Sequence, residues 1–509
     1  MTPSRTDALP GAATGGARGA PAAWLERALL GCLFLFAVAA PHSIAAAQTA
    51  WLLGTLFWVA RFLFRPRPAA DRTPVDYALL AFFILTFVSA LLSYEPDISI
   101  GKLRAASLFT IVYVVAENVR TPRVLRALAL ALVASCVVNV AYTFGVFAAG
   151  RGVRVGSLAA DSPLSAAGVR EGDTVLSVDG ARVSEPGQIV RALEAQNADG
   201  AAARLRLYRV ESFPVVEVAR GSLSAGATAE ARLGLREWTR GRDERASGFY
   251  GHYTTYAEVL QLVASLALGL LVALRRRASV RDALLAAAVA GMCGALILTV
   301  TRASWLGFLL SAFTIAAVGA SRRTLVVVVA IALPLAFAAL VTLQQKRRVG
   351  FIDPKEGSTA WRLMVYRESL DLLVREPRHV LVGVGMDSLK RHYREWGLFD
   401  RGRQNVSHLH STPLQIAVER GLPALFAWLA VLFVYARMLW RLARRGGLEN
   451  WVERGLALGA LGGLVGFVAS GMVHYNFGDS EVVMIFYFLM GLTLAAERIN
   501  RPAAPARAG

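Results

Sequence analysis

Two histidines, His408 and His410, stand two residues apart in Ser407–Leu414, immediately before an apolar run. In an extended chain their side chains share one face, a geometry that suits zinc. A zinc site needs further ligands, however, and none of the cysteines is placed to supply one. A single histidine acting as a general base is more economical, because the unperturbed pKa of an imidazole lies near working pH. The segment therefore predicts a histidine base, with a metal site as the alternative.

Arg302 follows Leu298-Thr299-Val300-Thr301 and begins the next apolar run. It lies at the junction of two apolar segments joined by almost no loop. A charged residue at membrane depth is costly and normally faces a polar cavity. An arginine near a helix end also reaches the interface readily by extending its side chain. Both interpretations remain open on this evidence.

A short amphipathic helix is predicted from Ser358, and its one apolar face comprises Trp361, Met364, Val365 and Leu372. Pro377 ends the segment. Such a helix lies along a membrane surface and presents Arg362 and Arg367 toward lipid headgroups. The alternative is that most arginines here belong to an ordinary solvated face.

Asp479 and Glu481, near the C-terminal end, are two residues apart. Paired acids at this spacing hold a metal ion in DxD-type glycosyltransferases. An Asp or Ser at this position also caps a following helix readily. Capping is the simpler prediction, and a role in orienting a catalytic group is the alternative.

Composition places these residues in a membrane protein. Of the 509 residues 55% are hydrophobic, the mean hydropathy is +0.47, and apolar runs near the length of a bilayer core recur throughout. The net charge of +19 falls largely in short arginine-rich connections, so membrane topology explains it better than nucleic-acid binding. We predict twelve helices near 24–43, 46–64, 76–93, 102–117, 124–148, 252–274, 280–300, 303–320, 324–343, 412–438, 453–474 and 481–496.

The arginine-rich connections alternate with nearly uncharged ones, which predicts cytoplasmic termini and an even number of helices. A secretory signal within Leu29–Ala47 is the alternative to the uncleaved first helix. Two long segments then fall outside, and a loop of that length translocates regardless of its charge. The basic second loop indicates an anionic partner. This topology places Arg302, Arg362, His410 and Asp479 on one side of the membrane.

The segment Val155–Arg209 has a predicted pattern of strands, turns and a short helix instead of an apolar run. A helix is predicted to open at Ser162-Pro163, and Gly172-Asp173 and Asp179-Gly180 mark hairpin turns. These residues resemble a bacterial PDZ domain. No strand and glycine-containing loop of the kind that begins such a domain is predicted before Val155, which argues against peptide binding at a sheet edge. A folded spacer or docking module is the simpler interpretation.

The late segments together resemble the O-antigen ligase and polymerase superfamily. The matching features lie at Thr301–Trp305, Trp361-Arg362, Gly383-Val384-Gly385, His408–Ser411, Gln415, Glu419–Pro423 and Asn476–Ser480. Ser411 departs from the asparagine that usually follows the second histidine. The resemblance implies an all-α polytopic, GT-C-like protein in the bacterial inner membrane, with the small α+β PDZ-like insert between helices 5 and 6.

The resemblance also implies an activity. Such proteins join a glycan from undecaprenyl diphosphate to an acceptor on the periplasmic face, without a nucleotide or other cofactor. Accordingly, the sequence has no GxxxxGK[ST] loop. By resemblance, Arg302 and Arg362 clamp the diphosphate and His410 takes the acceptor proton, with inversion. Arg367, His408 and Asp479 complete the substrate site, and no metal is implied.

The predicted organisation follows from these observations. It comprises a disordered cytoplasmic tail (1–23), helices 1–5 (24–149), the periplasmic insert (150–245), helices 6–9 (246–343), a catalytic loop (344–411), helices 10–12 (412–496) and a second tail (497–509). Lipid A-core is the leading acceptor because a basic loop suits a phosphorylated partner. Membrane lipids and a periplasmic protein at the insert are further expected partners, and nucleic acid is not. The alternatives are a polysaccharide polymerase, a protein O-oligosaccharyltransferase, a transporter of lipid-linked sugar and a non-enzymatic scaffold.

Overall fold

A computed structural model describes most of the chain. The described residues are 20–68, 71–195, 202–209, 212–242, 244–274, 279–319, 357–444 and 451–500, with single positions at 326, 329, 337 and 341. Apart from those four single positions, the predicted helix 324–343 lies outside these ranges, as do the start of the predicted catalytic loop and most of the two predicted tails. The first helix begins at Ala20, four residues before the predicted position.

The described chain is mostly helical. Its longer helices are Ala20–Ala39, Ile44–Arg61, Asp76–Leu91, Pro96–Ala106, Thr110–Asn118, Pro122–Ala149, Tyr253–Ala273, Val280–Leu298, Arg302–Gly319, Gly357–Arg375, Thr412–Arg444, Trp451–Gly471 and Ser480–Ile499. Shorter helices are Pro163–Ala166, Pro186–Glu194, Ala229–Leu233, Pro377–Val382, Ser388–His392 and Leu398–Arg401. Every predicted helix within the described ranges coincides with one of these or with a consecutive pair.

Within the described ranges, nine helices are long and apolar enough to cross a membrane, and Asp76–Leu91 is a shorter apolar helix. One of the nine is the continuous stretch Pro96–Asn118, which begins six residues before the predicted helix 102–117. The chain is therefore a multi-pass membrane protein, and the count of twelve crossings stays a prediction.

The chain forms two compact units. The first comprises residues 1–135, 261–289 and 303–509, and the second comprises residues 136–260 and 290–302. The predicted insert falls in the second unit, whereas the histidine pair and the predicted catalytic loop fall in the first.

The second unit contains an antiparallel sheet of six strands: β1 (Val153–Leu158), β2 (Thr174–Val178), β3 (Ala181–Arg182), β4 (Ala203–Tyr208), β5 (Val215–Val218) and β6 (Leu235–Arg240). The strand order is β5-β4-β2-β1-β6, and β3 pairs with β2. Apolar side chains from the strands and from helix Pro186–Glu194 form its core. The sheet is thus a small folded module with its own hydrophobic core.

Local predictions for the insert are confirmed. Ser162 caps helix Pro163–Ala166 by accepting a hydrogen bond from the Leu164 amide at 3.2 Å. Asp179 and Gly180 have φ angles of 48° and 84° and turn the chain between β2 and β3. No strand precedes β1 in the part of the chain that the structure describes, and β1 pairs with β6 from the other end of the insert. The inference against peptide binding and the PDZ resemblance both stay predictions.

In the first unit, helix Thr412–Arg444 is interrupted at Gly421, where φ is 81° and ψ is 166°. Pro423 follows, and a proline can neither donate to the preceding turn nor tolerate its carbonyl. The interruption leaves main-chain carbonyl groups without helical partners at a buried position. The predicted helix 412–438 did not anticipate this break.

The segment Gly383-Val384-Gly385, here called the glycine strap, satisfies these carbonyl groups. The Val384 amide donates to the Val418 carbonyl at 2.9 Å, and the Gly385 amide donates to the Glu419 carbonyl at 2.9 Å. A Cβ atom on Gly383 would collide with the main chain of Glu419. The strap and the broken helix therefore fix each other.

Helix Asp76–Leu91 and the residues after it add hydrogen bonds to both the strap and the broken helix. The Tyr94 amide donates to the Val384 carbonyl at 3.2 Å, and the Ser89 hydroxyl donates to the Glu419 carbonyl at 2.9 Å. The Glu419 carboxylate accepts a hydrogen bond from the Asp387 amide at 3.1 Å. The buried carbonyl groups of Val384 and Glu419 are thus paired, as the low dielectric of a protein interior favours.

Replacing Gly421 with alanine tests this arrangement. The left-handed φ and the collision of a Cβ atom with the Leu381 main chain should together lower the free energy of unfolding by at least about 2 kcal/mol. Denaturant unfolding in detergent micelles measures the change. Gly31→Ala is the matched control, because nothing lies within 4 Å of its added methyl group within a regular helix. Equal effects of both substitutions would show that the break carries no strain.

Candidate functional site

Helix Gly357–Arg375 forms one wall of the site. Val365 and Leu372 are fully buried, and Trp361 and Met364 pack against the same core, which confirms the predicted apolar face. The Trp361 indole donates a hydrogen bond to the Gln404 side chain at 2.5 Å. This face orients the helix so that Arg362 and Tyr366 are partly buried in the first unit.

The segment His408-Leu409-His410, here called the histidine loop, is fixed along its main chain. The Leu409 side chain is fully buried, and its amide donates to the Gln415 side chain at 2.7 Å. The Tyr366 hydroxyl donates to the His410 carbonyl at 2.9 Å. These contacts come from the neighbouring wall helix and from the helix that follows the loop.

His410 adopts a left-handed main-chain conformation with φ of 50°. This region is uncommon for residues other than glycine, although histidine visits it more often than most. Strained conformations of this kind concentrate at functional sites, where surrounding contacts hold them in place. The hydrogen bonds from Tyr366 and to Gln415 provide such contacts on both sides of the residue.

The two histidine rings lie close together. Their centroids are 4.0 Å apart, and the Trp361 ring approaches the His410 ring edge to face at 5.0 Å. The His410 amide lies 3.4 Å from His408 Nδ1. No group of three or more His, Cys, Asp or Glu residues within the described ranges is arranged to hold a metal ion.

The pKa of His410 is lowered to about 3. The largest cause is burial, which disfavours the charged imidazole, and the positive charges of His408, Arg362 and His474 act in the same direction. An ordinary histidine has a pKa of 6.5 and becomes charged below that pH. Because its pKa is lowered, His410 stays neutral as the pH falls from 6.5 toward 3. A neutral imidazole is the form that can accept a proton.

The turn His474–Asp479 packs beside the histidine loop. The Thr412 amide donates to the His474 carbonyl at 3.1 Å, and the Thr412 hydroxyl donates to the Asn476 side chain at 2.8 Å. Asn476 is buried and also donates to the Phe467 carbonyl at 2.8 Å. This turn is therefore tied to a residue two positions after His410.

Asp479 occupies the N-cap position of helix Ser480–Ile499, as predicted. Its carbonyl accepts hydrogen bonds from the Val482 and Val483 amides at 3.1 and 3.0 Å. The sequence predicted that its side chain would cap the helix, but within the described part of the chain the side chain makes no capping hydrogen bond. Any further role of its carboxylate stays a prediction.

Arg302 belongs to the second unit and is the first residue of helix Arg302–Gly319. Only three residues separate it from the end of the preceding helix at Leu298, which confirms the predicted short junction. Val300 within this junction has φ of 51°, a strained conformation for a β-branched residue. The predicted approach of Arg302 to Arg362 and His410 stays a prediction.

A second arginine supports the junction. The Arg245 guanidinium donates to the Val300 carbonyl and lies over the Tyr253 ring at 4.0 Å. The Ala246 amide donates to the Leu298 carbonyl at 3.0 Å. The pKa of Arg245 is lowered, chiefly by burial, and the neighbouring charge of Arg302 adds to this effect. Arg245 therefore holds the strained turn from which Arg302 emerges.

Sequence reasoning missed three residues that support these sites: Tyr366, Gln415 as a loop anchor, and Arg245. Tyr366 lies four residues after Arg362, and residues four apart share one face of a helix. This spacing could have identified Tyr366 from the sequence. Arg245 lies before helix Tyr253–Ala273 with no distinguishing local pattern, and its partner Val300 is 55 residues away in sequence. Arg367, in contrast, is exposed.

The chain was compared with known proteins. Residues 287–429 match the family described as O-antigen ligase. The matched segment contains Arg302, Arg362, the glycine strap, the histidine loop and the break at Gly421, whereas Asp479 lies beyond it. A search of curated proteins found no match. The predicted resemblance to the O-antigen ligase and polymerase superfamily is confirmed.

Proposed function

We propose that this multi-pass membrane protein, a member of the O-antigen ligase and polymerase superfamily, transfers a glycan from undecaprenyl diphosphate to lipid A-core on the periplasmic face of the bacterial inner membrane. The observation that carries the proposal is the environment of His410. Its imidazole is held neutral in a fixed left-handed turn, and the charge of Arg362 acts upon it. A base and a phosphate-binding cation are the two groups that this transfer needs.

The step itself needs little covalent chemistry from the protein. The sugar is activated by its diphosphate, which is a good leaving group. His410 takes the proton of the acceptor hydroxyl, and the acceptor oxygen attacks the anomeric carbon. The bond from that carbon to the diphosphate oxygen breaks, and the configuration inverts. Arg302 and Arg362 stabilise the negative charge that develops on undecaprenyl diphosphate.

The remaining residues position these groups. Tyr366 and Gln415 hold the main chain of the histidine loop, and Arg245 holds the turn before Arg302. His408 and Arg367 would contact the substrates at the edge of the site. No metal or nucleotide takes part in this mechanism, since the donor already carries the activated bond.

The low pKa of His410 links base strength to donor binding. In the free protein, burial and neighbouring positive charges keep the pKa at about 3, which makes the imidazole a weak base. A diphosphate bound at Arg362 would place negative charge beside these cations. The pKa of His410 should then rise toward the range in which a base works well at neutral pH. Donor binding therefore strengthens the base.

A transfer assay with purified protein in nanodiscs tests the function. The donor is an undecaprenyl-diphosphate glycan, the acceptor is lipid A-core, and no nucleotide or metal is added. Arg362→Gln should lower the rate at least about 100-fold, because a charge that stabilises the leaving group is lost. Arg375→Gln, an exposed arginine of the same helix, should change it less than threefold, an about 0.6 kcal/mol effect.

The products distinguish the alternatives. Longer carrier-linked chains would identify a polymerase, and label on a protein acceptor would identify a protein O-oligosaccharyltransferase. Movement of lipid-linked sugar across a vesicle without transfer to any acceptor would contradict the enzyme class and favour a transporter.

The pH dependence tests the link between donor and base. The profile of kcat/KM reports the free protein, and the profile of kcat reports the donor complex. Because the pKa of His410 is lowered in the free protein, kcat/KM should stay flat as the pH falls from about 8 to about 5. The acid limb of kcat should lie at least about one pH unit above that of kcat/KM. An inflection near 6.5 in both profiles would contradict the proposed coupling.

A further inference from the structure

A charged cavity lies in the first unit, at the ends of helices that carry none of the proposed active-site residues. It has a volume of about 410 Å³, within the range of small-molecule sites. It opens among the helices Ala20–Ala39, Ile44–Arg61 and Ser480–Ile499 and the connection before Pro122. Its lining holds four arginines and two carboxylates: Arg61, Arg67, Arg120, Arg498, Glu26 and Asp71.

Two of the arginines form a fixed floor. Arg61 is buried, pairs with Glu26 at 3.0 Å and donates to the Phe64 carbonyl at 2.8 Å. Arg498 pairs with Glu117 at 3.3 Å and donates to the Val119 carbonyl at 3.2 Å. These contacts hold two guanidinium groups at the cavity without leaving either charge unbalanced.

The other two arginines supply the excess positive charge. Arg67 and Arg120 are exposed at the cavity, where Asp71 is the remaining carboxylate of the lining. An arginine fork suits the oxygens of a phosphate group, and two forks with one opposing carboxylate favour an anion. The cavity therefore has the charge balance of a phosphate site.

The surface beside the cavity is apolar. Leu56 and Val59 on helix Ile44–Arg61 and Leu63 just after it have exposed fractions of 60%, 57% and 82% and lie near the cavity-lining Arg61. Trp24 is 60% exposed and packs edge to face on Phe57 at 5.7 Å. Tryptophan of this kind is enriched at membrane interfaces. A ligand that carries acyl chains as well as a phosphate would cover both surfaces.

We infer that this cavity binds the phosphodiester headgroup of an anionic phospholipid, with its acyl chains along the exposed face of helix Ile44–Arg61. The arginine-rich connections that form the cavity are those assigned to the cytoplasmic side by their charge, where basic pockets between helices bind acidic lipids. The site is separate from the histidine loop and does not depend on the proposed transfer reaction.

Native mass spectrometry of the full-length protein, purified in a neutral detergent, tests this inference. The protein is titrated with phosphatidylglycerol, with phosphatidylcholine and with inorganic phosphate. Phosphatidylglycerol should bind preferentially, and Arg120→Ala should weaken its binding about fivefold, the effect of one arginine charge at a lipid surface. Arg123→Ala is the matched control, because it removes an exposed charge three residues away, in the first turn of helix Pro122–Ala149 and outside the cavity lining.

Three results would overturn the inference. Equal weakening by Arg120→Ala and Arg123→Ala would reduce the binding to general surface electrostatics. Competition by inorganic phosphate at equal concentration would identify a site for a soluble anion instead of a lipid. Equal binding of phosphatidylcholine would show that the negative charge of the headgroup is not recognised. A circular dichroism spectrum and elution volume unchanged in each variant establish that the fold is retained.

Discussion

The pairing of the glycine strap with the broken helix is the constraint on which the site depends. A helix interrupted inside a membrane protein exposes main-chain carbonyl groups that no water molecule can reach in the apolar interior. Here the amides of Val384 and Gly385 satisfy two of them, at Val418 and Glu419. The same helix begins at Thr412, immediately after the histidine loop. Fixing the break therefore also fixes the end of the loop that carries His410.

The environment of the histidine loop lowers the pKa of His410 below that of an ordinary histidine. Burial and surrounding positive charge keep His410 neutral, and Arg362 contributes to this effect. An anionic donor would relieve the repulsion among the cations, so substrate binding and base strength are thermodynamically linked. The lowered pKa of His410 also reduces the stability of the fold below pH 6.5, because the unfolded chain binds a proton there that the folded site excludes. Stability is lost as the pH falls from 6.5 toward 3.

Much of this could be predicted from the sequence. Apolar run length located the long apolar helices, and helical spacing identified the buried face with Val365 and Leu372. Ser162 and Asp179-Gly180 correctly marked a helix start and a turn, because capping and left-handed turns depend on local residue chemistry. These signals are contained within a few neighbouring residues.

Long-range pairings could not be predicted in the same way. The pairing of β6 with β1 joins the two ends of the insert, and the strap pairs with Val418 across 34 positions of chain. Gly421-Leu422-Pro423 contains a visible signal for a break, yet a proline in an apolar run also occurs in kinked, continuous helices. The contact of Arg245 with Val300 leaves no periodic trace in the sequence.

The most direct test of His410 as the base is a single-turnover measurement on His410→Gln with the lipid-linked donor already bound. Glutamine retains polar character but cannot accept the proton in the same way. The transfer rate should fall by about 10²- to 10⁴-fold, the usual contribution of a general base, while donor affinity changes little. A transfer rate close to that of the unmodified protein would contradict the assignment of His410 as the base.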